Sequence, residues 1–257
     1  MKEYKPTILV LIPALAGMLL NLAGLYGKEV FGGQLKQIVT GGAPQPTEIA
    51  RVYKEKYGID LVSGYGLTET ANLVSGNTEV LEHCNSVGQL YNFQEVRIVD
   101  QEIQVRGDNI FIEYINNPAE TAAAFDDGWF KTGDLGYIDE DGFIFIKGRN
   151  KTMLLGPNGQ NIYPEEIEAK LNNMPYVMES LVIQHEDHLV ALVCPDFETV
   201  DAANMTKSQL EETMEENRKM VNSLLASYEQ LSAIKLYPHE FEKTPKKSIK
   251  RFLYTQF

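Results

Sequence analysis

The chain has 257 residues, a formal net charge of -13, 44% hydrophobic residues and 23% charged residues. That composition is ordinary for a soluble globular protein with one or two buried cores. An acidic body argues against general nucleic-acid binding, because phosphate backbones need a basic counter-surface. Positive charge is concentrated near the end, where Lys243, Lys246, Lys247, Lys250 and Arg251 form a local anion-binding candidate. Cys84 and Cys194 have neither metal-ligand spacing nor a disulfide framework, which fits a reducing, cytoplasmic setting. His185 and His188 sit in a polar break between two apolar runs and read as turn surface rather than zinc ligands.

From Ile8 to Tyr26 no residue is charged, a stretch long enough to span a bilayer. Pro13, Gly17, Asn21 and Gly24 interrupt it, and the pattern predicts a buried strand from Ile8 to Ile12, then a helix opened by Pro13. No basic region with a small-residue cleavage site marks a signal peptide. Pro46 and Thr47 open a helix with Ile49, Val52, Tyr53 and Tyr57 at helical spacing, closed by Gly58. Ile59 to Val62 then reads as a strand running into Gly64-Tyr65-Gly66. Strand, helix, strand, with a glycine loop at a strand's carboxyl end, is the α/β pattern.

Between about residues 86 and 148 the texture changes to period-two alternation, in Val96 and Ile98, Ile103 and Val105, Phe143 and Phe145. This predicts a small β-rich unit with one short helix near Pro118 to Phe125. Past Arg149, a helix starts at Pro164, with Glu165 and Glu166 in its first turn and Lys170 near its end. Two apolar strands follow, Leu181 to Ile183 and Leu189 to Val193. A long amphipathic helix starts at a Thr206 to Gln209 capping box, with Leu210, Met214, Val221, Leu224, Leu225, Tyr228 and Leu231 on one face. The expected class is α/β and α+β: a partial α/β subdomain (1–85), a β-rich subdomain (86–149) and an α+β C-terminal domain (150–257).

Gly41-Gly42-Ala43-Pro44 and Gly64-Tyr65-Gly66 each follow an apolar strand. Glycines there permit positive φ and close approach of a flat ligand, although tight turns also need glycine for structural reasons alone. Thr68-Glu69-Thr70 adds a hydroxyl for phosphate oxygens and a carboxylate able to hold Mg²⁺. Lys131-Thr132-Gly133-Asp134 places a carboxylate on another glycine turn, where it can accept from two ribose hydroxyls. Gly148-Arg149-Asn150-Lys151 supplies cations. Asp127-Gly128 and Asp141-Gly142 read as hairpin turns.

Together these segments resemble the AMP-forming acyl-CoA synthetase and adenylation-domain superfamily. GYGLTET (64–70) is similar to its adenine- and Mg²⁺-binding core, WFKTGDLGY (129–137) to its ribose-binding motif, and GRNKTMLLGPNGQNIYPEEIE (148–168) to its hinge and the opening of its mobile C-terminal domain. Ser86-Val87-Gly88 and Asn116-Asn117-Pro118 with Thr121 also fit. The hinge segment and the ending FEKTPKKSIKRFLY look most like bacterial long-chain fatty acyl-CoA synthetases.

The resemblance implies a ligase that activates a fatty acid with ATP to an acyl-adenylate and transfers it to CoA, with Mg²⁺ as the metal. Gly41, Gly42, Ala43 and Pro44 would border the acyl and adenine pocket, and Gly64, Tyr65 and Gly66 would hold adenine. Thr68 would touch the α-phosphate, Glu69 the Mg²⁺ and Asp134 the ribose, with Arg149 assisting and Lys151 as the hinge. The family's catalytic lysine aligns with Ser248, which leaves Lys247 or Lys250 for that role. The family's phosphate-binding loop is absent, so the chain is expected to be the C-terminal part of such an enzyme and inactive by itself. Loading of a carrier-protein thiol, or nucleotide binding without turnover, are alternatives. Acyl chain length, oligomeric state and peripheral membrane association stay open.

Overall fold

The structure is a computed structural model that describes residues 3–157, 159–244 and 248–254. It divides into two compact units, Met1–Ile146 and Lys147–Phe257. The first carries β1 (Ile8–Leu11), α1 (Pro13–Tyr26), β2 (Gln37–Gly41), α2 (Thr47–Tyr57), β3 (Asp60–Tyr65), β4 (Ser75–Asn77) and β5 (Ser86–Leu90). It continues with β6 (Gln94–Val99), β7 (Glu102–Gly107), α3 (Pro118–Ala124), β8 (Phe125–Asp126), β9 (Trp129–Ile138) and β10 (Phe143–Arg149), whose last residues enter the second unit.

One sheet runs β1-β2-β3-β4-β5-β10-β9-β7-β6, with β8 paired to β9. The first three strands are parallel, while β3–β4, β4–β5, β5–β10, β7–β9 and β6–β7 are antiparallel. The α/β and β-rich regions read from the sequence are therefore one hydrogen-bonded sheet. The expected boundary near residue 85 falls between β4 and β5, which are neighbours in it.

In the parallel part, Leu9, Ile38 and Leu61 lie in register. They pack with Ala16 and Ala23 of α1 and Ala50 and Tyr53 of α2, each large aliphatic side chain contributing about 1.5–3 kcal/mol when fully buried. Alanines on the inner side of α1 let it approach closely enough for the Tyr53 hydroxyl to donate to the Ala16 carbonyl at 2.7 Å. A strand over Ile8–Leu11 and a helix over Pro13–Tyr26 form where predicted, but the strand is not buried as expected: β1 ends the sheet among the described residues, and its Ile8 and Val10 are exposed. Among the described residues no helix is long and apolar enough to cross a membrane. Gly58, at φ 66°, closes α2 as predicted. In the antiparallel part the alternating residues Ile103, Val105, Phe130 and Ile144 meet Tyr65 and Val74 in a second core. Asp127 and Gly128 both have positive φ, the backbone of a tight hairpin turn between β8 and β9.

The second unit holds β11 (Leu154–Leu155), β12 (Asn161–Ile162), α4 (Pro164–Leu171), β13 (Val177–His185), β14 (His188–Pro195), α5 (Phe197–Ala202), α6 (Lys207–Asn222) and β15 (Leu231–Leu236). Its sheet has the order β13-β14-β15, with β13–β14 antiparallel and β14–β15 parallel. α4 and α6 cover one face. The turn at Glu186 and Asp187, both at positive φ, pairs His185 with His188, so these histidines are hairpin surface. The capping box forms, with the Thr206 N–H donating to Gln209 Oε1 at 2.8 Å and the Gln209 N–H to Thr206 Oγ1 at 3.3 Å.

α6 is shorter than the apolar spacing predicts. It stops at Asn222, whose side chain accepts from the Leu231 N–H at 2.8 Å and donates to the Leu231 carbonyl at 2.9 Å. Those two bonds turn the chain into β15. Leu231 is buried as a sheet residue, while Leu224 and Tyr228, expected on the helix face, are not buried.

Candidate nucleotide site

The two glycine turns are register partners. Gly41 ends β2 opposite Gly64 in β3, so both loops leave the same carboxyl edge of the parallel strands, where open α/β sheets bind ligands. Packing there is tight, since a Cβ on Gly41 would sit 3.1 Å from the Gly64 carbonyl oxygen. Gly42, Ala43 and Pro44 are exposed beyond it, with Gly42 at φ 81°.

The loop after β3 folds back on itself. A Cβ on Gly66 would stand 1.9 Å from the Asn72 carbonyl oxygen, so backbone passes directly over backbone. The buried Thr70 hydroxyl accepts from the Leu67 N–H at 2.9 Å and donates to the Leu67 carbonyl at 3.0 Å. Thr68 is left exposed and Glu69 half-buried. Three residues that sequence reasoning missed fasten this loop. Asn109 donates to the Thr70 carbonyl at 2.8 Å, the Phe111 N–H to the Glu69 carbonyl at 2.8 Å, and the Tyr114 hydroxyl to Glu69 Oε1 at 2.9 Å. Burial first, then the Glu69 carboxylate, pushes the Tyr114 phenol up to about 12, so it stays a donor. Nothing local marks these residues, about forty positions downstream; only the folded chain puts them there.

Asp134 does not sit on a turn, as the KTGD segment suggested, but in a bulge of β9. Gln104 pairs with Lys131 whereas Glu102 pairs with Leu135, so β9 accommodates extra residues between these points. Gly133 takes φ 72° there. Its N–H donates to Glu102 Oε1 at 2.9 Å, and Thr132 Oγ1 donates to the Ile103 carbonyl at 2.6 Å while accepting from the Asp134 N–H at 3.1 Å. The bulge turns Asp134 inward, to 3% exposure, where Oδ2 accepts from the Tyr65 hydroxyl at 2.7 Å. Tyr65, expected to help hold adenine, is thus also tied to Asp134 through its phenol.

Within the first unit the structure therefore assembles Gly41 to Pro44, Gly64 to Thr70 and Asp134. Arg149, Lys151 and Lys250 belong to the second unit. Arg149 and Lys151 are exposed in a turn whose Thr152 and Met153 N–H groups both donate to the Arg149 carbonyl at 3.0 Å. Lys250 Nζ lies 3.2 Å from Glu242 Oε2. Lys247 lies outside the described residues. Among the described residues no three His, Cys, Asp or Glu side chains could together hold a metal ion. Glu69, steadied by Tyr114, offers the single carboxylate that suffices for Mg²⁺, an ion that keeps waters and binds substrate phosphates rather than a protein cage.

Residues 1–114 match the family described as AMP-binding enzyme. Over 199 residues the chain is 32% identical to the long-chain-fatty-acid–CoA ligase FadD13 of Mycobacterium tuberculosis, covering 72% of this chain and 39% of that protein. An ATP-bound RpMatB–BxBclM chimera superposes with a TM-score of 0.82 at 27% identity, over 98% of this chain and 51% of its own. The o-succinylbenzoate CoA synthetase of Bacillus subtilis, in complex with its acyl-adenylate intermediate OSB-AMP, gives a TM-score of 0.79 at 25% identity, over 97% and 51%. The chain thus spans two fifths of the curated relative and about half of each solved structure. With both units of mixed sheet and helix matching that fold, and with the glycine loops and buried aspartate in place, the chain belongs to the AMP-binding family of adenylate-forming enzymes.

Proposed function

We propose that this chain supplies the nucleotide grip and the C-terminal domain of a cytoplasmic, AMP-forming ligase that activates a long-chain fatty acid with ATP and transfers it to CoA. The observation that carries this reading is the Tyr65–Asp134 hydrogen bond of 2.7 Å, which joins the glycine loop to the inward-turned carboxylate. Asp134, held by its bulge, would accept from the ribose hydroxyls in charge-assisted hydrogen bonds. Gly64 and Gly66 leave room beside the backbone for adenine, Thr68 offers its exposed hydroxyl to the α-phosphate, and Glu69 would hold Mg²⁺. When bound, that ion neutralises phosphate charge. In the reaction a carboxylate oxygen of the acid attacks the α-phosphorus and pyrophosphate leaves; the CoA thiol then attacks the acyl carbon and AMP leaves. Preference for a long fatty chain rests on the resemblance of the hinge and C-terminal segments and on the similarity to the mycobacterial ligase.

Calorimetric titration of AMP into the chain tests the grip. Asp134→Ala is expected to weaken AMP at least about tenfold, since each hydrogen bond to a charged group is worth about 1.5–3 kcal/mol. No AMP binding by the natural chain, or equal binding by the variant, would overturn the assignment. Long-chain acyl and succinylbenzoyl sulfamoyl-adenosines, titrated in parallel, test the acid; tighter binding of the second would remove the fatty-acid reading. Acid-dependent pyrophosphate exchange by the 257-residue chain is expected to be absent, because its sequence holds no phosphate-binding loop to cradle the β- and γ-phosphates.

A further inference from the structure

The second unit carries a side-chain assembly that the nucleotide site does not use. One face of the β13-β14-β15 sheet, with Leu181, Ile183, Val190, Leu192 and Cys194, is covered by Phe241 and Tyr254 of the C-terminal segment. Between those two anchors the described residues pair with one another. The Thr244 N–H donates to the Ser248 carbonyl at 2.8 Å, the Ser248 N–H to Thr244 Oγ1 at 3.3 Å, and Lys243 bridges to Ile249. Of the basic cluster in the sequence, Lys243, Lys250 and Arg251 are among the described residues.

Each end of the segment rests on an acid. Lys243 Nζ lies 2.8 Å from Glu179 Oε2, whose partner oxygen accepts from the Phe241 N–H at 2.9 Å. At the other end Arg251 pairs with Glu168 of α4, 83 residues away in sequence, and with Glu165 Oε1 at 3.5 Å. Glu168 Oε1 accepts from the Val182 N–H at 2.6 Å while Arg251 Nη1 donates to the Val182 carbonyl at 3.4 Å. β13 is an edge strand, and the backbone groups of Val182 that face away from β14 are thus taken by a carboxylate and a guanidinium that also bind each other. The pair does what a neighbouring strand would do at one position of that edge.

Burial makes this more than a surface ion pair. Glu168 is 8% exposed, and a carboxylate so far out of water is costly unless paired and hydrogen-bonded. Its cationic partner comes only with the docked C-terminal segment, so undocking would strand the carboxylate. We propose that Glu168 and Arg251 form a latch that positions the segment from Ser248 to Tyr254 against the edge of β13, which makes Glu168 a positioning residue for Lys250, one of the two candidates for the C-terminal catalytic lysine. That functional sense rests on the ligase reading, whereas the latch itself is a statement about docking.

Docking can be read without turnover, so the two fail separately. Cys194, fully buried beneath Phe241 and Tyr254, reports on the segment by alkylation, with exposed Cys84 as an internal reference. Hydrogen exchange of the full chain, resolved by peptide, reports on residues 241–254 directly. At pH 8, where Glu168 is ionised, Glu168→Gln and Arg251→Gln are each expected to speed both readouts about tenfold or more, with α6 and β15 keeping their protection. The double variant should lie closer to the natural chain than the product of the single effects, because removing both partners leaves no stranded charge. Unchanged segment exchange, uniform loss of protection across the second unit, or simple additivity would each overturn the latch. Should the glutamine variants fail to fold, Arg251→Lys keeps the charge but loses the forked geometry, and a smaller increase confined to the same segment is expected. No increase there would equally overturn it.

Discussion

The Tyr65 hydroxyl reaches Asp134 Oδ2 at 2.7 Å across 69 residues of sequence, and both side chains are buried. Tyr65 ends β3 and Asp134 occupies the bulge of β9, strands that are not neighbours in the sheet. Tyr65→Phe keeps the ring and its packing while removing the donor from a buried carboxylate, so the first unit should lose about 1.5–3 kcal/mol. Trp129, the single tryptophan, is flanked by Arg97 and Arg106 at 4.7 and 4.5 Å from its ring, and its fluorescence reports unfolding of that unit in urea. An unshifted midpoint would show that Asp134 does not depend on Tyr65.

Gly66→Ala is expected to destabilise the first unit by at least about 2 kcal/mol, since overpacking a tight site typically costs 1–3 kcal/mol and here a Cβ meets rigid backbone. The Asn72 carbonyl oxygen would be 1.9 Å away. Gly24→Ala is the contrasting control. It lies within α1 with nothing within 4 Å of the added carbon, and helix propensity should raise stability by roughly 0.5–1 kcal/mol. Denaturant melts of the two variants should therefore move in opposite directions.

Burial drives the Glu168 carboxyl up to about 7, against the opposing pull of Arg251 and the Val182 N–H. A folded-state value above the unfolded one means that the folded chain holds the extra proton between about pH 4.5 and 7. The Glu168 contribution is therefore complete below about pH 4.5 and is lost as pH rises through about 7. Subtracting the pH–stability curve of Glu168→Gln from that of the natural chain isolates this slope. A flat difference curve, or one rising with pH, would contradict the assignment.

Lys151 follows Arg149 in the exposed turn after β10, the position proposed as the hinge of the complete ligase. Lys151→Pro fixes φ near about -65°. In that ligase it should impair adenylate formation and thioester formation by clearly different factors, because a hinge must absorb a φ/ψ change between two states. Measuring the half-reactions separately tests this, and an equal effect on both would place the hinge elsewhere.

What the sequence determined by itself is local in origin. α2 with its Gly58 cap, the Pro164 start of α4, the Thr206–Gln209 box and the His185–His188 turn are all governed by residues within one helical turn or one hairpin of each other. The glycine loops and Asp134 were legible because close backbone approach and anion chemistry demand particular residue types in a short span. That Gly41 faces Gly64, that β9 bulges to aim Asp134 at Tyr65, and that Asn109, Phe111 and Tyr114 fasten the loop were decided only by tertiary structure. The same is true of β15, which continued the apolar spacing of α6 until Asn222 bound Leu231, and of the Glu168–Arg251 pair. Each of these depends on strand order and register, and a strand's pairing partner leaves no periodic mark in the chain, because the energy that selects it comes from contacts tens of residues away.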